Sequence, residues 1–166
     1  MAKLIVAIAS NRVIGKNNDL IWHLPADMKF FTETTKNNIV VMGRKNWNSI
    51  PDKYRPLPHR LNVVVSRDPE FSDEGCVVFG SVEDAIEAYK MDDRETYVIG
   101  GGQIYAYALK HNLVDEMLIT TIHQDFDGDT FFPDFNEDNW EKQLLMSHPI
   151  DERNPHAFDV WRYTKK

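Results

Sequence analysis

With 166 residues, 42% hydrophobic content and a formal net charge of -7 at pH 7, the chain suits a single domain, 1–166, able to bury a sizeable core. The acidic balance argues against a general nucleic-acid or anionic-membrane surface, since both reward clustered positive charge. A lone Cys76 forms no internal disulfide, no apolar run approaches the ~20 residues of a membrane span, and MAKLIVAIASNR has no signal-peptide pattern, so a soluble cytoplasmic protein is expected.

Taken in chain order, KLIVAIAS (3–10) reads as a strand and is followed by an unusually long loop, 10–23. Pro25 then opens a helix over 25–36, because proline suits a first helical position. NIVVMG (38–43) is a second strand, with a short helix starting at Arg44. LNVVVS (61–66) and CVVFG (76–80) are further strands; Ser81 and Asp84 make a capping-box-like start for a helix over 82–90. TYVIGG (96–101) precedes a helix over 103–111, and EMLITTIH (116–123) leads into a second long loop, 124–139. KQLLMSH (142–148) and FDVWRYT (158–164) then follow with no helix-length segment between.

Several of these runs are apolar throughout rather than alternating, the pattern of strands covered on both faces. The expected fold is therefore α/β: a central mixed, mostly parallel sheet of about eight strands with about four flanking helices and antiparallel C-terminal strands.

Asp27 poses the sharpest question. Leu24, Asp27, Met28 and Phe31 share one helical face by the i, i+3, i+4, i+7 rule, so the acid points where the apolar residues point. Two readings stand. An acid in a first helical turn is stabilised by roughly 0.3–1 kcal/mol through the exposed N–H groups, or it is a carboxylate set in an apolar pocket for a purpose.

Three strand ends suit an anion. VVMGRK (40–45) runs from a strand into Gly43 and two cations, VIGGGQIY (98–105) offers three glycines before a helix, and Ser66–Arg67 follow a third strand. Ligands of open α/β sheets bind outside the carboxyl ends of strands, and a phosphorylated dinucleotide would fit all three elements. There is no G-x-G-x-x-G or Walker A pattern. The histidines at 23, 59, 111, 123, 148 and 156 lack H-x-x-x-H spacing and there is no C-x-x-C, so no metal is expected.

The segments NRVIG (11–15), W-x-LPAD (22–27), VVMGRK-x-W-x-SI (40–50), RPLPHR-x-N (55–62), VIGGGQIY (98–105) and GDTFFP (128–133) occur in one order across nearly the whole chain. Together they resemble the dihydrofolate reductase family in its bacterial, single-domain form. The resemblance implies NADPH-dependent reduction of 7,8-dihydrofolate to 5,6,7,8-tetrahydrofolate, by hydride transfer to C6 and protonation at N5. It also implies antifolate inhibitors as ligands, a monomer, and no nucleic-acid or membrane partner.

Carried over by position, Asp27 resembles the acid that holds the pterin, Trp22 the residue that positions an ordered water, and Thr120 the acid's hydroxyl partner. Burial should raise the Asp27 pKa. Ile5, Ala7, Met28, Phe31, Ile50, Leu57 and Ile99 resemble the walls of the substrate cleft, and Arg60 the binder of the glutamate α-carboxylate. Ala7, Ile14, Gly15, Leu20, Gly43, Arg44, Lys45, Asn46, Ser66, Arg67, Gly100, Gly101, Gly102, Gln103, Ile104 and Tyr105 resemble the NADPH contacts, with a cis link between the first two glycines. The loop 10–24 resembles a mobile lid, held by contacts from Asp129. Ile21 stands where many relatives have proline, Asn46 where threonine is usual, and 51–60 is longer than in compact relatives. The rival readings are a related NADPH-dependent reductase of the riboflavin-biosynthesis type and a noncatalytic nucleotide-binding module.

Overall fold

The computed structural model describes residues 1–17 and 19–166; of the lid expected over 10–24, residue 18 lies outside the described residues. In chain order the elements are β1 (Ala2–Ala9), β2 (Val13–Gly15), α1 (Pro25–Thr35), β3 (Ile39–Gly43), α2 (Arg44–Ser49), β4 (Leu61–Val65), β5 (Val77–Phe79), α3 (Val82–Ala88), β6 (Thr96–Gly100), α4 (Gly102–Lys110), β7 (Val114–Ile122), β8 (Thr130–Phe131), β9 (Trp140–His148) and β10 (Phe158–Lys165). The eight long runs and four helices of the sequence reading are all present, displaced at their ends by one or two residues. The short strands β2 and β8, and the 3-10 turns Asp52–Tyr54 and Glu137–Asn139, are additions. Elements of two or three residues are too short to show a period.

The main sheet has the order β5-β4-β3-β6-β1-β7-β10-β9. Pairings among β5, β4, β3, β6, β1 and β7 are parallel, while β10 runs antiparallel to both β7 and β9. The inner parallel strands are buried on both faces, as their unbroken apolar runs require, while the edge strand β5 is only partly covered. Ile39, Val40, Val41 and Met42 are all 0% exposed, and each such side chain contributes roughly 1.5–3 kcal/mol of hydrophobic stabilisation.

Strand alternation divides the helices between the faces. Ile39 and Val41 pack with Ala85 of α3, and Leu4 and Val98 pack with Ala108 of α4. Val41 and Val98 are register partners, as are Leu4 and Val98, so these residues share a face. The opposite residues turn the other way: Val40 and Met42 pack with Trp47 of α2, and Ile5 and Tyr97 with Phe30 and Phe31 of α1. Helices α1 and α2 thus cover one face and α3 and α4 the other.

Candidate active site

The partner of Asp27 bears on its two readings. The N-cap of α1 is Leu24, and no side chain caps it from that position. Thr120 Oγ1 on β7 donates to Asp27 Oδ1 at 2.7 Å, across 93 positions of sequence. Thr120 is buried, and its register neighbours are Ala7 on β1 and Val160 on β10. Burial pushes the Asp27 carboxyl above its usual range, and the Thr120 hydroxyl pulls partly back. The direction is the one expected from the sequence.

Around this carboxylate, the expected wall residues fall into adjoining groups. Ile5, Phe31 and Ile99 pack in one cluster, Ile50, Leu57 and Ile99 in another, and Ala7 with Trp22 and Leu24 in a third. Ala7, Phe31, Ile50, Leu57 and Ile99 are each half-buried, which leaves part of every side chain open to a ligand. Met28 differs from the helical-face expectation: it is 51% exposed, on the rim rather than the wall. Trp22 lies against Phe126 with ring centroids 5.2 Å apart.

Arg60 stands beside the far end of α1. Its guanidinium donates to Thr35 Oγ1 at 3.1 Å and to the Pro58 carbonyl at 3.0 Å, and lies 5.9 Å from the Phe31 ring. Burial lowers its pKa, yet a guanidinium stays charged at neutral pH. Asn62, which the sequence reading quoted inside a motif without assigning it work, shapes this approach. Its amide receives the Leu57 N–H at 2.9 Å and donates to the carbonyls of Leu57 and Arg60 at 3.0 and 3.1 Å. The longer 51–60 segment folds back on α2: Arg55 donates to the Trp47 carbonyl at 3.0 Å and faces its ring at 5.4 Å.

The three anion-suited strand ends are adjacent. Gly43 pairs with Val65 and Met42 with Gly100, so Gly43, Ser66 and Gly100 leave neighbouring strands together. A register shift between Val41 and Met42 skips Ile99, an irregularity of the kind found beside active sites. The freed Ile99 carbonyl accepts from Tyr105 Oη at 2.8 Å and from Asn46 Nδ2 at 3.4 Å. Asparagine at 46 therefore keeps a polar contact where threonine is usual. Tyr105 Oη is also 2.8 Å from the Ile5 carbonyl, so this buried hydroxyl braces β1 against β6, and burial pushes its pKa far up.

The Gly100–Gly101 peptide is cis, as the resemblance implied. Gly100 has φ of +114°, and a Cβ there would lie 2.9 Å from the Tyr105 ring, so glycine is required. At Gly101, the N-cap of α4, a Cβ would meet nothing within 4 Å, and no side chain caps the helix. Uncapped N–H groups beside open space, with Arg44, Lys45 and Arg67 exposed just past the ends of the neighbouring strands β3 and β4, fit an anionic dinucleotide. Arg44 also reaches Asp68 at 3.3 Å and covers the Phe71 ring at 4.3 Å. Lys45 lines a cavity of about 320 Å³ with Asn17, Asp19, Asn48 and Ser49, between the 10–24 loop and α2. Gln103 is exposed and Ile104 half-buried, its Cγ1 2.8 Å from where a Gly43 Cβ would stand.

The two long loops zip together. Strands β2 and β8 pair antiparallel, Asp129 N–H donates to the Gly15 carbonyl at 3.1 Å, and Asn17 N–H donates to Asp129 Oδ2 at 2.9 Å. Lys16 meets Asp127 at 2.7 Å, and Arg12 Nη2 donates to the Phe132 and Pro133 carbonyls. Ile14 is half-buried, Gly15 buried and Leu20 51% exposed. The role of Arg12 was not foreseen; its only sequence signal is a place in NRVIG.

Comparison with known proteins follows the same lines. A family model described as "Dihydrofolate reductase" matches residues 1–165. The chain belongs to the dihydrofolate reductase family. It is 39% identical to the dihydrofolate reductase of Bacillus subtilis (strain 168) over 166 residues, covering 100% of this chain and 95% of the relative. It is 43% identical to the dihydrofolate reductase type 3 of Salmonella typhimurium over 157 residues, covering 95% and 93%. A solved dihydrofolate reductase from Enterococcus faecalis, complexed with NADP(H) and RAB-propyl, superposes with a TM-score of 0.88 at 37% identity, covering 100% of this chain and 96% of that one. Membership carries the activity, the NADPH-dependent reduction of 7,8-dihydrofolate to 5,6,7,8-tetrahydrofolate. Among the described residues no helix is long and apolar enough to cross a membrane, and no cluster of His, Cys, Asp or Glu could hold a metal ion.

Proposed function

We propose that Asp27, Thr120 and Trp22 form the catalytic group of this dihydrofolate reductase, acting in the cleft between α1 and the ends of β1, β3, β6 and β7. A carboxylate in a half-dry wall grips the 2-amino and N3 edge of the pterin through paired, charge-assisted hydrogen bonds. The same negative charge favours the proton arriving at N5. Thr120 fixes the carboxylate's rotamer, and Trp22 holds a water at the mouth of the wall. Ile5, Ala7, Phe31, Ile50, Leu57 and Ile99 exclude solvent from the ring and the aminobenzoyl group, with Met28 at the rim. Arg60 takes the α-carboxylate of the glutamate tail, for which a planar fork is suited.

Gly43, Arg44, Lys45, Asn46, Ser66 and Arg67, with Gly100 to Tyr105, hold NADPH by backbone N–H groups and local positive charge; Ala7, Ile14, Gly15 and Leu20 enclose its nicotinamide side. Bound there, NADPH supplies the hydride that reduces C6. The 10–24 loop keeps water from the reacting atoms. Residues 1–166 work as one domain, which a sheet drawing strands from Ala2–Ala9 and Phe158–Lys165 supports. The protein acts as a cytoplasmic monomer and binds antifolates where it binds dihydrofolate.

The observation that carries this assignment is the 2.7 Å contact of Thr120 with a carboxylate whose pKa is raised by burial. Following NADPH absorbance with dihydrofolate tests it: Asp27→Asn should lower turnover at neutral pH by about 10²-fold or more, the scale of general acid–base contributions, with NADPH binding unchanged. Near-normal turnover of that variant across pH would return Asp27 to a capping role.

A further inference from the structure

Helix α1 begins with a deficit. Its N-cap position, which ordinarily takes Ser, Thr, Asp or Asn, is occupied by Leu24, 4% exposed and packed with Ile122, Phe158 and Val160. That position is committed to the hydrophobic core, so the N–H groups of the first turn need a partner from elsewhere. The Ala26 N–H finds it in Asn154 Oδ1 at 3.0 Å, reached from the loop between β9 and β10.

Asn154 is 4% exposed and held in one posture. Asp151 Oδ1 accepts from the Asn154 N–H at 2.7 Å, from Asn154 Nδ2 at 2.9 Å and from the Arg153 N–H at 2.9 Å, while Asp151 N–H donates to the Asn154 carbonyl at 3.0 Å. Because a carboxylate only accepts, the amide must turn its NH2 to Asp151 and its oxygen to the helix. His148 stands 3.6 Å from Asp151 and stacks on Phe158 at 5.1 Å. The same loop touches the other side of the wall, where His156 lies edge-on to Phe126 at 5.1 Å and Phe126 contacts Trp22.

Asp27 is the third residue of α1, a first-turn place where a carboxylate is drawn to the free N–H groups of its own helix start. It bonds Thr120 instead. We propose that Asn154 is a positioning residue for the dihydrofolate site: by capping the Ala26 N–H from outside the helix, it leaves the Asp27 carboxylate turned toward Thr120 and the substrate. This rests on the assignment of Asp27 above. Asn154 touches neither reacting ring; it acts through the direction in which Asp27 points.

The charge setting of Asp27 is simple. Burial and Thr120 account for its shift. Lys29 and Glu33 of α1 are exposed, and His123, just past β7, pairs with Asp159 of β10 at 3.0 Å. Asp151, Glu152 and Arg153 are exposed on the β9–β10 loop, with His156 half-buried. A carboxylate that gains backbone N–H donors favours its ionised form, so losing the outside cap has a directional signature.

Asn154→Ala and Asn154→Gln, the latter keeping the amide but moving it out of register, test the proposal in steady-state assays with dihydrofolate and NADPH across pH. Each folded variant should lose about fivefold in kcat/KM for dihydrofolate, the factor an ordinary cap of about 1 kcal/mol commands. KM for NADPH should hold, and the limb of the rate profile that Asp27 sets should move to lower pH. An unmoved limb in a folded variant, or an equal rise of both KM values, would overturn the proposal. So would the failure of both variants to fold, since Asn154 would then be purely structural. Asp27→Asn assayed in parallel separates the two readings: if it stays active the Asp27 assignment fails, and if it is inactive while the Asn154 variants keep the parent profile, only the positioning role fails.

Discussion

The Asp27 wall and the loop zipper hold their acids in opposite ways. Asp27 sits among apolar side chains with one side-chain donor, and burial raises its pKa. Asp129 stands in solvent, with the Asn17 N–H and the Thr130 hydroxyl on its oxygens, and its pKa is lowered, the Asn17 N–H being the foremost cause. The same residue type thus responds to pH with opposite sign. Ionised Asp27 costs stability: with a folded pKa above the unfolded one, its favourable contribution is complete below the unfolded value and is lost as pH rises through the folded value. Asp129 contributes above the unfolded pKa, and that contribution fades as pH falls through its depressed one. The buried acid is kept at an energetic disadvantage, while the exposed one makes contacts that water can replace.

The largest effect should come from the Asp27 side. Asp27→Asn removes the charge that burial penalises, so the variant should melt higher than the parent at neutral pH while turning over far more slowly. The gain should shrink as the pH is lowered into the carboxylate range, where the parent is itself protonated. A lower melting temperature for the variant at neutral pH would remove the contrast between the two acids.

Next in size is the cofactor side. Arg67 is exposed at the end of the strand beside Gly43, so Arg67→Ala should reduce the preference for NADPH over NADH by about tenfold, roughly the loss of one charge-assisted contact to a phosphate. Dissociation constants for both cofactors check it, and equal binding of the two by the parent would count against the assignment.

The smallest effect belongs to the zipper. Asp129→Asn keeps the shape and removes the charge at an exposed site, so turnover should change by only about two- to threefold, and the difference should shrink as salt screens the remaining pairs. A change as large as that of Asp27→Asn would mean that the lid contact, not the buried acid, governs the reaction.

The sheet was legible because continuous apolar runs, bounded by turn residues, can be satisfied only by burial on both faces; β3 and β7 fell within two residues of expectation for that reason. The anion-suited junctions were legible as glycines and cations at strand ends. Met28 was not, since helical spacing places residues on a face without saying where that face leaves the protein. Asn62 and Tyr105 were opaque in a different way. Each works by bonding backbone carbonyls brought near by chain reversal or by a neighbouring strand, and no local pattern names those partners.

For Asp27, the residue type and its place in the first turn of α1 were set by the sequence alone, and on position alone they favoured a cap over a catalytic acid. Only the tertiary structure supplies the partners that bear on that choice. It brings Thr120 from β7 to the carboxylate and Asn154 from the β9–β10 loop to the helix start. A hydrogen-bond donor has a reach of about 3 Å, and which donors come within it is a property of the packed sheet rather than of neighbours along the chain.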